Sequence, residues 1–448
     1  GTSALAANTT GATNTAVGKD SLKTNTTGTN NTAVGVYSLD ANTTGWGNTA
    51  TGVYSLSANT TANYNTAIGE RSLMANITGA DNTAVGYGTL AANLTGGNTA
   101  VGKQSQRVTT TGASNTSMGK HSMYANTTGA NNAAFGNDAL SSNTTGQQNT
   151  ALGTLALAAN TTAGSCTAVG YEALRANTTG ANNVAMGWGC LKTNTTGDRN
   201  IAIGVLALDV ATTAQYNIGI GNDALGTCTT GSSNTGIGTN VMAAVSTGHR
   251  NVAVGVNALD ALSTGYKNVA IGESAMTSAT SGVENTCVGR EAGSSLTSGS
   301  NNLLLGQNAG DSSSPAHTQN GNNRIVLGNN NITHAYVKVD WTVTSDERDK
   351  MNFAEVPHGL SFVNDLQPIK FDFKKSRDNA TPHGKTKYGF KAQDILALEG
   401  DNPIIIDNNN GDTLSMTNSH LIPVLVKAIQ ELSTKNDALV ARITALEA

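Results

Sequence analysis

The chain has 448 residues, a formal net charge of −4, 12% charged residues and only 4% aromatic residues. Because ordinary globular domains carry roughly 25% charged residues, the composition argues against a series of such domains, and the near-neutral charge gives no support for binding nucleic acid or an anionic membrane. No run of about 18 apolar residues is present, so we predict no membrane insertion.

A 17-residue repeat fills residues 1–328. The phrase NTAVG first ends at Gly18, and equivalent glycines follow at a constant spacing, apart from a shorter step from Gly86 to Gly102 and a longer step from Gly306 to Gly328. The chain starts at Gly1, inside a repeat-like phrase and without a signal peptide, so we expect it to begin within a longer protein.

Apolar residues keep the phase of the repeat. An apolar residue usually precedes the glycine, and Leu or Met usually follows it by four residues, as at Leu22 and Leu39. A disordered polar tract, the alternative, does not keep such a phase. We therefore predict a mainly β fold, a parallel β-solenoid or β-roll with about 18 turns spaced by ~4.8 Å. In-register Asn side chains should bond to each other and to the backbone.

One turn buries too little apolar surface to be stable alone. Identical neighbours would cover the remaining apolar face, which predicts a homo-oligomer. The repeats resemble the head repeats of trimeric autotransporter adhesins and the β-structured shafts of phage tail fibres, and this resemblance implies a homotrimer. The many N-x-T sequons could be glycosylation acceptors, but their fixed phase favours a structural role.

The four cysteines are far apart in the sequence and have neither CxxC nor Cys/His ligand spacing. They are Cys166, Cys190, Cys228 and Cys287. We interpret them as small buried residues that replace Ala or Asn. We predict no metal site and no cofactor.

The composition changes near residue 329. Residues 1–328 contain 14 acidic and 13 basic residues, whereas the much shorter segment 329–448 contains 16 and 13. The linking segment 329–344 contains ITHAYVKVDWTVT, whose alternation predicts one or more closing strands. A small α+β domain is expected to follow at residues 345–448.

The C-terminal end of the chain has a heptad pattern, which predicts a coiled-coil helix over residues 422–446. The a positions are Ile422, Ile429, Asn436 and Ile443, and leucine occupies every d position, at residues 425, 432, 439 and 446. The alternative is an amphipathic helix packed on its own domain. Ile at a with Leu at d favours parallel dimers, which disagrees with the trimer that the rest of the chain favours.

A specific family resemblance begins at the hexapeptide SDERDK. The segments TVTSDERDKMNF, GLSFVNDLQPIKFDF, YGFKAQDI and HLIPVLVKAIQEL resemble, in this order, the intramolecular chaperone auto-processing domain of phage tail spikes and fibres. This domain is the C-terminal peptidase domain of phage endosialidases and neck-appendage proteins. The resemblance implies that residues 345–448 help three chains to assemble and then cut themselves off at Thr344–Ser345 by a Ser-Lys dyad.

The resemblance makes Ser345 the nucleophile and Lys350 its base. A serine hydroxyl is a weak nucleophile until a nearby base takes its proton, and a lysine serves only if its pKa falls far below ~10.4. Burial and a neighbouring cation such as Arg348 would both lower the pKa of the lysine. The sequence leaves open whether Ser345 attacks its own chain or a neighbouring one.

Four further residues are candidates for supporting roles. Asp346 and Arg348 match the signature of the resembled domain, and Asp346 alternatively caps a helix or turn. His358 and His383 are candidates for assisting proton transfer, although an isolated histidine is more often structural. Without the flanking matches, SDERDK would be interpreted as a capped, solvated turn.

The leading hypothesis is therefore the host-contacting shaft of a phage tail fibre or tail spike, located in the virion, whose partner is a host-surface glycan or protein. The alternative is a cellular or viral surface adhesin with the same two parts. An ice-binding solenoid is disfavoured because no strict T-x-T column persists. A glycan-cleaving spike is disfavoured because carboxylates such as Asp81, Asp138 and Asp198 recur at no paired site.

Overall fold

The protein divides into two compact units, Gly1–Asn329 and Asn330–Ala448. The computed structural model describes residues 1–312, 314, 318–339, 344–376, 379–408 and 414–447. None of the helices in these ranges combines the length and the apolar character needed to cross a bilayer.

The first unit is a parallel β-solenoid, as predicted. Each turn contributes one three-residue strand to a single 19-stranded sheet. The strands β1–β19 are Thr15–Val17, Thr32–Val34, Thr49–Thr51, Thr66–Ile68, Thr83–Val85, Thr99–Val101, Thr116–Met118, Ala133–Phe135, Thr150–Leu152, Thr167–Val169, Val184–Met186, Ile201–Ile203, Ile218–Ile220, Thr235–Ile237, Val252–Val254, Val269–Ile271, Thr286–Val288, Leu303–Leu305 and Ile325–Leu327.

The strand register follows the spacing of the repeat glycines. Thr15 pairs with Thr32, the equivalent residue of the next turn. The shorter step of the repeat recurs where β5 pairs with β6, and the longer step where β18 pairs with β19. Equivalent residues therefore form columns along the solenoid, and a substitution at one turn can be compared with its equivalents at other turns.

Small side chains at the strand centres and leucines four residues after the glycines fill the solenoid core. Ala33 and Leu22 are fully buried. Leu22 has a φ of 47°, a left-handed conformation that costs roughly 1–2 kcal/mol, which burial of the leucine side chain offsets. Gly18 has a φ of 136°, and a Cβ there would overlap the carbonyl oxygen of Gly35, so the repeat requires glycine at this position.

Two columns of buried asparagines connect the turns. The side chain of Asn42 donates to Oδ1 of Asn25 at 2.8 Å and to the carbonyl of Gly45 at 3.0 Å. In the second column, the backbone N–H of Asn48 donates to Oδ1 of Asn31 at 3.0 Å. Asn25 and Asn42 are sequon residues with no exposed surface, so their role in the folded solenoid is structural.

The first asparagine column ends inside the solenoid. Oδ1 of Asn194 has no hydrogen-bond partner among the described residues, because the next turn has Ala211 at that position. Later turns carry Cys228, Val245 and Leu262 in the same column, all fully buried. This column thus changes from an amide ladder to apolar packing, whereas the second asparagine column continues to Asn302.

The cysteines are buried and unpaired, as interpreted from the sequence. Burial raises the pKa of the Cys190, Cys228 and Cys287 thiols to about 12, and it also raises the pKa of the Cys166 thiol. Since the thiolate is the reactive form, these side chains act as core residues.

The second unit is a small α+β structure ending in a long helix. Its elements are α1 Leu360–Asp365, β20 Ile369–Ser376, β21 Asn379–Gly389, α2 Ala392–Glu399, β22 Ile406–Asp407, β23 Ser415–Met416 and α3 Leu421–Glu447, with 3-10 turns at Glu347–Asp349 and Asn418–His420. Strands β20 and β21 pair antiparallel, as do β22 and β23. A small core contains Phe362, Ile395 and Val424.

The linking segment 329–344 contains no strand in its described residues, 329–339 and 344, contrary to the prediction of closing strands. Residues 340–343 of this segment lie outside the described residues. Tyr336 and Val339 are 91% and 73% exposed. A strand needs a neighbour that accepts its backbone hydrogen bonds, and alternation of side chains alone does not supply one.

Candidate active site

A short turn places the predicted dyad. Asp346 precedes the 3-10 turn Glu347–Asp349, and its side chain accepts the backbone N–H of Arg348 at 2.9 Å. Lys350 follows the turn in an extended conformation, and its N–H donates to the carbonyl of Glu347 at 3.1 Å. The turn reverses the chain, so that Ser345 and Lys350 come together.

The turn is reinforced by an ion pair. The guanidinium of Arg348 donates to both carboxylate oxygens of Asp346, at distances of 2.6 to 3.2 Å. The hydrogen bonds from Arg348 lower the pKa of the Asp346 carboxyl. Asp346 therefore remains an ionised cap to lower pH than an ordinary aspartate would.

The side chain of Lys350 meets Ser345 at two atoms. Its Nζ lies 2.6 Å from Oγ of Ser345 and 3.2 Å from the carbonyl oxygen of the same residue. Both residues are exposed in the single chain. The contact has the geometry of a nucleophile within hydrogen-bond reach of a base.

The burial and the neighbouring cation that the sequence led us to expect around Lys350 are not present in the described single chain. Lys350 is exposed, and the described bonds of the Arg348 side chain go to Asp346 rather than to the dyad. The carboxylate of Asp346 binds the guanidinium of Arg348 because the turn brings these two side chains together.

The two histidine candidates lie in other environments. The ring of His358 stacks on Phe362 with centroids 4.2 Å apart. His383 lies in β21, and its Nε2 is buried without a hydrogen-bond partner among the described residues. No described hydrogen bond connects either histidine to Ser345 or Lys350, so their supporting role stays a prediction.

The residue before the predicted scissile bond, Thr344, is described and exposed. The four residues before it, 340–343, lie outside the described residues. The peptide bond between Thr344 and Ser345 is therefore adjacent to the hydroxyl that Lys350 contacts, and the exposure of both residues leaves the bond accessible to solvent.

Sequence reasoning missed two carboxylates that hold the second unit together. Glu431, on α3, accepts the backbone N–H of Leu360 at 2.8 Å and so caps the beginning of α1. Glu399, at the end of α2, accepts three successive backbone N–H groups, those of Ile404, Ile405 and Ile406, at 2.7 to 3.0 Å. The first contact joins segments 71 residues apart, whereas the second closes the loop that follows α2. No periodic pattern in the sequence indicates either contact.

Helix α3 has two different faces. Leu421, Val424 and Ala428 are buried, and the first two belong to the unit's own core. The predicted a and d positions point elsewhere, with Ile429 66% and Leu432 54% exposed. One face of the helix thus packs on its own domain, as in the alternative considered from the sequence, while the a and d residues are left exposed and the coiled coil stays a prediction.

The family described as "Chaperone of endosialidase" matches residues 345–401, less than half of the chain. The match begins at Ser345 and includes Lys350. It places an endosialidase-chaperone domain after a long β-solenoid, an arrangement typical of phage tail fibres and spikes, and it implies autoproteolytic cleavage and trimeric assembly. No curated protein matches the chain significantly.

Proposed function

We propose that residues 345–448 bring three chains together and then cut the bond between Thr344 and Ser345. The preceding solenoid is released as the host-contacting shaft of a phage tail fibre or tail spike. The observation that carries the proposal is the 2.6 Å contact between Oγ of Ser345 and Nζ of Lys350 within the segment that matches the chaperone family.

The cleavage consists of two acyl transfers. The neutral amine of Lys350 takes the hydroxyl proton of Ser345 while Oγ attacks the carbonyl carbon of Thr344. The C–N bond then breaks, the proton passes to the departing nitrogen of Ser345, and the acyl group of Thr344 remains on Oγ as an ester. Water hydrolyses the ester, which leaves a carboxylate on Thr344 and restores the hydroxyl.

Assembly supplies the condition that the single chain lacks. An ammonium cannot accept a proton, and removal of water favours the neutral amine. Since Ser345 and Lys350 are exposed in the single chain, packing of neighbouring chains over them would bury the dyad and activate it. Each chain would then be cut once, and only after the chains associate.

The exposed seam of α3 is one contact between chains. Its apolar residues Ile422, Leu425 and Ile429 are 43% to 66% exposed, whereas the opposite face is already packed. Parallel association of three helices along this seam would hold the chains in register and raise their local concentration.

The sheet of the solenoid offers a second contact between chains. The first and third residues of the strands β1–β19 point outward and form two columns along the sheet, which we call the strand face. Every strand contributes one residue to each column, none of these residues is charged, and the third residue is apolar in every strand except Thr49–Thr51. The column of third residues is a nearly continuous apolar surface along the whole sheet, and exposed apolar surfaces of this kind mark sites of protein association. We infer that the strand faces of three chains cover one another.

Removal of the assembly domain would stabilise the product kinetically. A parallel solenoid depends on pairing between distant residues, folds slowly and exposes apolar surface while it does so. Once the strand faces are joined, cleavage removes the α3 seam from the rod. Chains that later unfold would then reassemble only slowly, so unfolding of the rod is effectively irreversible.

Mass spectrometry of the freshly purified protein tests the proposal. We expect a fragment ending at Thr344 from the unmodified chain, and only the intact chain from Ser345→Ala and Lys350→Ala, with the oligomers retained in both variants. The same fragment from Ser345→Ala would overturn the dyad.

A further inference from the structure

A groove lies on the turn side of the solenoid, beside the short segments that follow the repeat glycines Gly69, Gly86 and Gly102. It encloses about 430 Å³ and is lined by aromatic, cationic and small side chains. This volume lies within the range of roughly 300–1,000 Å³ for small-molecule sites. None of the lining residues belongs to the strand face.

The groove exists because one turn has two small residues, Gly88 and Ala91, where the neighbouring turns have long side chains. Gly88 occupies the column that contains Arg71 in the preceding turn and Gln104 in the following one. Gly88, Arg71 and Gln104 have φ values of 60°, 58° and 56°. The backbone therefore does not require glycine at residue 88, and a Cβ there would meet only Cγ of Gln104, at 3.6 Å. In the same turn, Ala91 leaves a second gap between Met74 and Arg107.

Two tyrosines form the aromatic walls. Tyr54 and Tyr87 are about two-fifths exposed, at 41% and 40%. Tyr54 is held by stacking on Tyr37, with ring centroids 5.1 Å apart and an angle of 9° between the planes. A fixed aromatic face with a hydroxyl at its edge suits a ligand that has both apolar C–H faces and hydroxyl groups.

Two guanidiniums supply positive charge. Nε of Arg71 lies 3.6 Å from the carboxylate of Glu70, and both side chains remain about half exposed. Arg107 donates to the hydroxyl of Tyr124 at 2.9 Å, and among the described residues it makes no ion pair. The groove thus has a net positive charge, and planar guanidiniums favour carboxylate or sulfate groups.

We propose that this groove binds an anionic saccharide. The sugar ring lies against Tyr54 and Tyr87, and its carboxylate or sulfate group binds Arg71 and Arg107. The proposal names a ligand class for the host-contacting role proposed above and rests on that role, but it is independent of the cleavage at Ser345.

The chain provides a matched control site. Gly189 occupies the same column as Gly88, with a φ of 64°, and Tyr171 and Trp188 lie in the adjacent column. There, however, the carboxylate of Glu172 pairs with Arg175 at 3.0 Å and with Lys192 at 2.7 Å. Because both of its cations already bind the carboxylate of Glu172, this site should bind an anionic ligand less tightly than the groove does.

Isothermal titration calorimetry of the purified protein provides the test, with four probes. Hyaluronan tetrasaccharide and 3′-sialyllactose carry carboxylates, a heparin-derived tetrasaccharide carries sulfates as well, and maltotetraose is neutral. We expect at least one anionic probe to bind at least tenfold more tightly than maltotetraose. Gly88→Gln, which introduces the side chain found in the following turn, should weaken that binding at least tenfold, and Gly189→Gln should leave it unchanged.

The variant Arg71→Gln/Arg107→Gln gives a second measurement. These substitutions remove the two positive charges without filling the groove, and they should weaken binding of the same probe tenfold or more. Failure of every anionic probe to exceed maltotetraose would overturn the proposal, as would equal losses in Gly88→Gln and Gly189→Gln. In either event the fragment ending at Thr344 would still form, so failure of this inference is distinguishable from failure of the cleavage mechanism.

Discussion

Nζ of Lys350 lies 2.6 Å from Oγ of Ser345 although both residues are exposed in the single chain. The proposed nucleophile and its proposed base are thus placed by the local turn within the single chain. In the proposed mechanism, assembly then removes water from the pair. Positioning of the Ser345 hydroxyl and activation of Lys350 as a base are therefore separate steps. Substitutions in the turn should affect the first step, and substitutions at the contacts between chains should affect the second.

The first prediction concerns the base. Lys350→Arg keeps a cation five residues after Ser345 and retains donors that can reach Oγ, but a guanidinium does not lose its proton in proteins. We expect no fragment ending at Thr344 over a time in which the unmodified chain is fully cut, as measured by mass spectrometry of the intact protein. Lys385→Arg, an exposed change in β21, should be cut normally. Scission of Lys350→Arg at the normal rate would mean that the lysine only positions Ser345.

The second prediction concerns the cap. Asp346→Ala removes both the acceptor for the N–H of Arg348 and the ion pair, so the turn should form less often and cleavage should slow roughly fivefold, as expected for loss of a cap. Asp346→Asn keeps the acceptor and should retain most of the rate. Time courses of fragment formation for the two variants measure the difference. Equal rates for both would show that the cap does not limit cleavage.

The same cap predicts a pH dependence. The hydrogen bonds from Arg348 lower the pKa of Asp346, so the interaction is fully present above the ordinary pKa of an aspartate and is lost only as the pH falls through the lowered value. Nuclear magnetic resonance titration of the Asp346 carboxyl in Ser345→Ala should therefore give a midpoint below that of Asp346 in Ser345→Ala/Arg348→Gln. Identical midpoints would contradict the ion pair.

Much of the fold could be predicted from the sequence because a solenoid repeats its local pattern. The spacing of Gly18 and its equivalents determined the strand register, and the buried Leu22 column and the asparagine ladder followed from the same phase. The end of the ladder at Asn194 was visible in the substitution by Ala211, but its consequence, an unpaired Oδ1, depends on the distance between turns.

The second unit was less predictable because its contacts join distant segments. The resemblance to the chaperone family implied the dyad of Ser345 and Lys350, but not that the side chain of Arg348 turns back to Asp346. The heptad pattern predicted a long C-terminal helix, which α3 confirms, whereas no periodic pattern indicates the contact of Glu431 with the start of α1. None of the described residues of the linking segment 329–344 lies in a predicted closing strand, and residues 340–343 lie outside the described residues.

The third prediction concerns the seam of α3. Ile429→Asp places a carboxylate at an exposed a position without touching the buried face of the helix. Because burial of an unpaired charge costs several kcal/mol, the dissociation constant of the uncut oligomer in a Ser345→Ala background should rise at least roughly hundredfold. In the active protein, cleavage should slow in parallel if assembly buries the dyad.

Thr434→Asp is the control for this prediction. Thr434 lies on the same helix at a heptad position away from the seam and is exposed. Analytical ultracentrifugation should find its oligomer unchanged. If the Ile429→Asp protein were dissociated and yet cleaved at the normal rate, activation of the dyad would not depend on assembly.

The fourth prediction tests the asparagine ladder. Asn143 is fully buried, and its side chain donates to Oδ1 of Asn126 at 2.8 Å and to the carbonyl of Gly146 at 3.0 Å. Asn143→Asp replaces the donor with a second acceptor that faces two oxygens, which should cost about 3 kcal/mol or more. Hydrogen exchange should detect faster opening of the turns around residue 143, whereas Asn131→Asp, at an exposed position, should exchange like the unmodified protein.

The fifth prediction concerns the strand face. Ile271 is the third residue of β16 and is 40% exposed, whereas Val256 is 46% exposed and lies just after a repeat glycine, outside the strand face. If three strand faces cover one another, Ile271→Asp should bury a carboxylate in each chain, while Val256→Asp leaves its carboxylate in water. Since both substitutions introduce the same charge at nearly the same exposure in one chain, any difference between the variants reports contact between chains. We expect light scattering of the cleaved shaft to detect smaller species for Ile271→Asp alone, and equal masses for the two variants would locate the contact on another side of the solenoid.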